Sequence, residues 1–593
     1  MKPSTTKSRG IHYTPPELAR FLARHVADRL RRRSGELHVL DPACGDGALL
    51  AALAAAVPAK QRRQMHLVGY ETDRSAIEAA ARVLRPLGTK DLSLIESDFL
   101  VAVAADSDRC MPPASDGTEP PAGFDAIIAN PPYVRTQVLG ARRAGLLAAQ
   151  FSLTGRVDLY QAFARAMARV LRPGGVLGLL TSNRFLTVKS GAALREMLRR
   201  EFTLEAVYDL GDTKLFAAAV LPVIVVAIKR PPPARLRCRF DRVYRARKSS
   251  GGVLLQAATE IVQAPPTTPS LLAALADGQT SGCIETPSGR FRIERGVLSD
   301  HAPGAIWTLS NADSDAWLKV VRRHIGRSFD DVGRVRVGIK TTADEVFIRD
   351  DWHRLPPERR PECELLRPLL RHFGAARWRS GAQPHTVLYP HVAIGGRRKA
   401  VDLDHFPCAR RYLAAHRGRL TRRQYVVDSG REWYEIWVPH NPGEWSLPKI
   451  VFPDIADQPR FFLDRSGAVV NGDCYWITLR AGQDLDWLLL MLAVANSSFI
   501  VRYYDIAFHN QLYAGRRRFM TQYVKQFPLP DIDAQAARAA IEGVRRLVDS
   551  SHESSQPSGE LVLNKGANLA PLEQEVDALV WRAFGLPVPR AGM

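Results

Sequence analysis

Four consecutive residues, Asn130-Pro131-Pro132-Tyr133, carry the most specific chemistry in the chain. Two prolines in series remove two backbone N–H donors and stiffen the segment. Two acceptors are left pointing outward, the Asn130 side-chain oxygen and the Pro131 carbonyl. Such a pair suits a planar amine held by both of its hydrogens. An amine polarised in this way presents its nitrogen lone pair for in-line attack on an activated methyl group. Tyr133 adds a ring face on which a planar base can stack. The same four residues would serve as a plain rigid turn. Their place directly after an apolar run, residues 124–129, favours the chemical reading.

A second group of residues describes a pocket. The apolar run ending at Leu40 enters Asp41-Pro42-Ala43-Cys44-Gly45-Asp46-Gly47. A glycine-rich turn after a first strand lets backbone approach a ligand at the carboxyl end of a parallel sheet. The spacing is not that of the dinucleotide motif, and Asp46 between the glycines would repel a pyrophosphate. A ligand that carries an ammonium and no phosphate fits better. Glu71 closes a second apolar run, in Gly69-Tyr70-Glu71. An acid there can hold both ribose hydroxyls. Asp98-Phe99 follows a third run, offering a carboxylate to an adenine amine and a phenyl ring to the purine face. Singly, each acid reads as a surface turn. In this order the set describes a site for an adenosine-bearing sulfonium, S-adenosylmethionine, with no metal. Cys44 reads as a small packed residue, because amine methylation needs no covalent intermediate.

These residues need strands to position them. Short apolar runs lie at residues 37–40, 66–70, 92–95, 124–129, 175–181, 204–210 and 221–228. Amphipathic segments separate several of them; residues 158–171 set Leu159, Phe163, Met167 and Val170 on one helix face. This alternation predicts an α/β fold, a seven-stranded, mostly parallel Rossmann-like sheet with helices on both faces. Little room for a crossover helix remains around residues 211–219, which points to an antiparallel seventh strand.

In these motifs the chain resembles the adenine-N6 DNA methyltransferases of the TaqI type, including the methylating halves of type IIG restriction enzymes. Residues 41–47 look like that family's cofactor loop, and Asn130-Pro131-Pro132-Tyr133-Val134 is similar to its catalytic motif. His12-Tyr13-Thr14-Pro15-Pro16-Glu17 resembles its N-terminal motif, which implies that Thr14 lies near the methionine part of the cofactor. Asp158-Leu159-Tyr160 and Arg172-Pro173-Gly174-Gly175 match in order and spacing. Residues 211–221 look like the segment that closes the adenine pocket, with Phe216 as the second stacking ring. The resemblance implies Asp41, Ala43, Gly45, Glu71, Asp98 and Phe99 as further cofactor residues. It extends more weakly to residues 337–348, 522–530 and 572–577, as entry to and exit from a target-recognition domain and as a terminal helix. Two departures stand out: Leu49 where the family often has Phe, and Thr342 where a glycine is often found after Lys340-Thr341.

The 593 residues exceed what one compact domain uses. The divisions expected are a methyltransferase domain at 1–235, a connecting region at 236–300, a mixed α+β DNA target-recognition domain at 301–532 and a helical segment at 533–593. The formal net charge of +21 suits nucleic acid, here double-stranded DNA, although a genome that favours arginine and alanine codons would give a similar excess. Arg516, Arg517 and Arg518 beside Tyr513, Phe519 and Tyr523 suit phosphate contact or guanine reading, and Arg422-Arg423-Gln424-Tyr425 is a similar mixture. The seven cysteines are scattered without a C-x-x-C pair, which argues against a zinc site or disulfides and fits a reducing cytoplasm. No run of 18 apolar residues suggests a membrane span. A nuclease within the chain is not expected: Asp212-Thr213-Lys214 sits inside the adenine-pocket segment, and ten residues precede Ile11. Any restriction endonuclease would be a separate partner. Methylation of protein glutamine or of an RNA base are rival readings, as is a non-catalytic DNA-recognition subunit. The long basic second half and the intact motifs favour the DNA enzyme.

Overall fold

The computed structural model describes residues 13–105, 123–133, 141–153, 158–213, 215, 221–233, 238–246, 270–299, 304–380, 385–508, 512, 515–553 and 569–589. The chain divides into two compact units, the first chiefly Met1–Gly252 with Ala258–Asp315, the second chiefly Ala316–Asn510 with Arg516–Met593.

The first unit is built on one sheet. Its strands are β1 (Leu37–Asp41), β2 (Met65–Glu71), β3 (Asp91–Glu96), β4 (Phe124–Ala129), β5 (Leu171–Ser182), β6 (Thr203–Asp209) and β7 (Pro222–Ile228). They lie in the order β3-β2-β1-β4-β5-β7-β6. Neighbours from β3 to β5 are parallel. β7 runs antiparallel to both β5 and β6, as the short 211–219 connection requires. β4 shows how the sheet is held. It is buried throughout, and its alternate residues face two different cores. Ala126 and Ile128 join the core with helices α1 (Pro16–Leu30) and α2 (Ala48–Ala56); Phe124, Ile127 and Ala129 join the one with α3 (Leu159–Val170). α1 approaches β5 so closely that a Cβ at Gly178 would stand 2.4 Å from the Val26 Cγ2. Only glycine fits there.

The sheet does not stop at β6. β8 (Arg239–Arg245) pairs parallel to β6, and β9 (Gly282–Thr286), β10 (Gly289–Leu298) and β11 (Leu309–Ser310) extend it. Within 236–300, the described residues thus add three strands, β8, β9 and β10, to the sheet. Their polar composition is absorbed by pairing. Buried Asp241 takes Arg239 at 2.5 Å and Arg295 at 2.6 Å, and Arg242 lies 3.8 Å from Asp209.

The second unit is mixed α+β. Strands Gly333–Val337, Cys474–Leu479, Lys449–Pro453 and Phe462–Asp464 form one antiparallel sheet, and a second small sheet contains Leu366–Leu370 and His385–Leu388. Helix Leu485–Asn496 has ten of its twelve residues buried, packed with Gln535–Glu553 and Ala570–Ala583. No single helix among the described residues is long and apolar enough to cross a membrane; the bent apolar pair Leu485–Asn496 and Ser498–Phe508 supplies the centre of this core. At the family's glycine position, Thr342 takes φ +57°. A β-branched residue in the left-handed region is strained by roughly 1–2 kcal/mol. The turn is held regardless: Lys340 exchanges backbone hydrogen bonds with Val438, and Arg423 Nη1 donates to the Thr341 carbonyl at 2.9 Å.

Candidate active site

The sequence motifs emerge side by side at the carboxyl ends of β3, β2, β1 and β4. After β1 the chain turns through Gly45 (φ +52°) and Gly47 (φ +82°) into α2. These backbone values favour glycine, which leaves the loop without a side chain at those two positions. The loop is tied to β2. Cys44 N donates to the Tyr70 carbonyl at 2.9 Å, and Gly45 N donates to Glu71 Oε2 at 3.1 Å. Glu71 Oε1 also accepts from Thr72 N at 2.7 Å and Asp73 N at 3.0 Å, so the carboxylate is fixed in direction. A Cβ at Gly69 would stand 2.8 Å from the Cys44 Sγ, which explains glycine two residues before the acid. Cys44 is buried and its thiol is pushed up by burial, a packing residue and no nucleophile. Leu49 is 3% exposed, so the family's larger residue is here replaced within the core.

Asp41 accepts from Ala43 N at 3.1 Å and is otherwise sealed in. Burial first, then the negative neighbours Glu71 and Asp46, push its carboxyl from 3.8 up to about 8. A folded-state pKa above the unfolded one means that the folded chain holds this proton in the window between them. Stability from this group is therefore greatest at low pH and falls as pH rises toward 8. In the absence of ligand, Asp41→Asn is expected to melt close to wild type near pH 4, with its advantage widening up to about pH 8. Parallel melting curves across that range would show that Asp41 is already ionised. Three acids, Asp41, Asp46 and Glu71, lie around this loop. It suits a molecule that brings hydroxyls, an amine and a positive charge, and S-adenosylmethionine meets each requirement.

Asp98 follows β3. Its Oδ1 caps the next helix by accepting from Leu100 N at 2.9 Å, and its Oδ2 meets the exposed Arg143 at 3.1 Å. Phe99 does not face the crevice as expected. It is 1% exposed, its ring set edge-on to Tyr70 at 5.4 Å and stacked on Phe163 at 6.0 Å. As the first residue of a helix laid on the sheet, it packs inward.

Asn130 directly follows β4, Pro131 is buried, and Pro132 and Tyr133 are partly open. Asn130 Nδ2 donates to the Thr14 hydroxyl at 3.0 Å, and the Tyr133 hydroxyl donates to Asn130 Oδ1 at 2.6 Å. The amide is thereby fixed in orientation, nitrogen toward the N-terminal segment and oxygen toward Tyr133. Burial raises the Tyr133 phenol above its usual value, so it remains a donor. Thr14 is drawn to Asn130 itself, a link that no local sequence signal carries. Phe216 lies outside the described residues.

The basic residues divide by partner. Arg517 is 8% exposed and forks onto Asp505 at 2.8 and 2.6 Å; Arg518 forks onto Asp454. Buried Arg423 donates to the Leu420, Thr341, Glu435 and Trp433 carbonyls. Each of these three holds the second unit together. Arg516 and Arg422 are exposed. The described residues contain a single cluster of potential metal ligands, Glu36, His38 and His66, at the amino ends of β1 and β2, with Glu36 bound to Lys90.

Sheet order, antiparallel seventh strand, glycine loop and Asn-Pro-Pro-Tyr corner together define a class I S-adenosylmethionine methyltransferase. Comparison with known proteins is consistent with this. The model of the Eco57I restriction-modification methylase family matches residues 102–216. The type II methyltransferase M.BanIII of Aneurinibacillus aneurinilyticus is 35% identical over 98% of this chain and 97% of its own. M.XhoI of Xanthomonas vasicola is 27% identical over 80% of this chain and 78% of its own. Among solved structures, the type IIL restriction-modification enzyme MmeI in complex with DNA aligns with a TM-score of 0.59 at 13% identity, covering all of this chain and 78% of its own. The chain belongs to the type II methyltransferases of restriction-modification systems.

Proposed function

We propose that this chain transfers a methyl group from S-adenosylmethionine to N6 of adenine at a defined sequence in double-stranded DNA. The observation that carries the reading is the Asn130 amide, clamped between Thr14 and Tyr133 at the carboxyl end of β4. Asn130 Oδ1 and the Pro131 carbonyl accept the two hydrogens of the target amine, which leaves its lone pair facing the methyl group that the cofactor supplies. Asp41, Ala43, Gly45, Glu71 and Asp98 line the cofactor side. N6 of a paired adenine is engaged in a Watson–Crick bond, so the base must leave the stack at a cost of a few kcal/mol. Tyr133 receives it, with Phe216 the second ring that the sequence resemblance implies. The second unit reads the sequence, with Arg516 among its phosphate contacts. The enzyme works in the cytoplasm, and a separate endonuclease completes the system. The relative solved with DNA supports duplex DNA as the substrate.

Mapping modified bases in DNA from cells that express the chain tests this directly. N6-methyladenine confined to one sequence is expected; N4-methylcytosine in its place would overturn the assignment. The cofactor pocket is tested by calorimetry. Glu71→Ala and Asp98→Ala each remove a charged acceptor that contributes about 1.5–3 kcal/mol, so S-adenosylmethionine affinity is expected to fall roughly 10–150-fold. Unchanged affinity in both variants would place the pocket elsewhere.

A further inference from the structure

The second unit contains a two-stranded hairpin, His391–Ile394 and Arg397–Ala400, that belongs to no larger sheet. Its turn is Gly395-Gly396, with φ of +57° and +73°, which matches the turn that joins twisted strands most tightly. Every residue from Val392 to Lys399 is exposed, among them Val392 at 38% and Ile394 at 53%. Isolated hairpins of this length are marginal in water, and this one is fastened at both ends. At the base, buried His391 accepts from Ile436 N through Nε2 at 3.1 Å. At the tip, Asn441 Nδ2 donates to the Gly396 carbonyl at 3.0 Å.

Cross-strand pairing sets the faces. Ile394 stands opposite Arg397 and Val392 opposite Lys399, so these four share one face; Arg398 shares the other with Ala393. Arg397, Arg398 and Lys399 have no acidic partner among the described residues, unlike Arg517 and Arg518. A rigid ribbon that leaves three cations unpaired and two β-branched side chains in water is shaped for a polyanion with apolar features between its charges. The major groove of duplex DNA is that surface. It admits a two-stranded ribbon, offers guanine acceptors to arginine and thymine methyls to aliphatic side chains, and is flanked by phosphates.

We propose that the hairpin His391–Ala400 enters the major groove and reads sequence, Arg397 and Ile394 at base edges near the tip and Arg398 and Lys399 on the phosphates. This rests on duplex DNA being the substrate and names the element that recognises it.

The experiment uses the full chain. Methyl marks are mapped across genomic DNA for the wild type, Arg397→Ala, Arg397→Lys and Lys399→Ala, and DNA affinity is measured over a salt series. Arg397→Ala is expected to lose discrimination at one base pair of the recognised sequence by about 5–150-fold, the 1–3 kcal/mol of a good bidentate contact. Arg397→Lys keeps the charge and loses the fork, so the same position is expected to relax. Lys399→Ala keeps the recognised sequence and lowers the slope of log affinity against log salt by about 0.9. These positions are exposed, so wild-type melting is expected in all variants. Wild-type marks with the sequence and the salt slope unchanged in the variants would overturn the ribbon alone, and would assign this surface to a protein partner. A wild-type chain that marks no DNA would overturn the functional reading and the ribbon with it.

Discussion

Asn130→Ala is expected to bind cofactor and DNA as the wild type does, while methyl transfer falls by about 10²–10³-fold. That range is what removal of a single preorganised polar group costs when it acts on charge that develops in the transition state. As the amine nitrogen takes the methyl group, its hydrogens become more acidic, and the Asn130 oxygen then accepts more strongly than it does in the bound substrate. The geometry for this is already set, with Thr14 holding the amide nitrogen at 3.0 Å. A single-turnover assay with saturating DNA and cofactor isolates the step. Rates within a few-fold of wild type would remove Asn130 from the reaction, and loss of rate on adding a chelator would bring in a metal that this account does not use.

The second large effect is expected at Tyr133. Its ring is assigned to stack on the extruded base, a contact of about 1–3 kcal/mol. Its hydroxyl donates to Asn130 Oδ1 at 2.6 Å, and a neutral hydrogen bond contributes about 0.5–1.5 kcal/mol. Tyr133→Ala loses both, so methylation is expected to slow by roughly 10- to 10³-fold, and by less when the target adenine is mismatched and already loose. Tyr133→Phe keeps the ring and loses only the hydroxyl, which predicts roughly 2–15-fold. From the sequence alone this variant would be placed at wild type, because nothing in Asn-Pro-Pro-Tyr shows that the phenol reaches back to the amide. The amide oxygen has two lone pairs, so it can keep the phenol while it accepts the adenine amine. With 2-aminopurine at the target position, base extrusion should be weak in Tyr133→Ala and preserved in Tyr133→Phe. Equal damage in the two would make the hydroxyl, not the ring, the working group.

The parts of this molecule that follow a local rule were legible in its sequence. All seven expected strands are present, because buried parallel strands write themselves as short apolar runs and their carboxyl ends carry the acids and glycines. The parts decided by distant partners were not. β8 reads Arg-Phe-Asp-Arg-Val-Tyr-Arg and looks like a polar connection; Asp241 becomes a core residue because Arg295 arrives from β10. Arg517 looks like a DNA contact until Asp505 is seen beside it. Phe99 sits next to Asp98 and reads with it as a pocket residue, yet helix geometry sends its ring inward onto Phe163. Thr342 holds a left-handed turn that a glycine would take without strain, because Val438 and Arg423 fix the two residues just before it.

The hydrogen bond between Thr14 and Asn130 joins residues 116 positions apart. It ties Thr14, two residues ahead of α1, to the amide that the proposed function places at the reaction centre. Protease trimming past Thr14 would leave both cores intact while the amide of Asn130 lost its tether. On the proposed reading, such a clipped chain is expected to keep its hold on DNA and lose methyl transfer, which a binding assay run beside a methylation assay would separate.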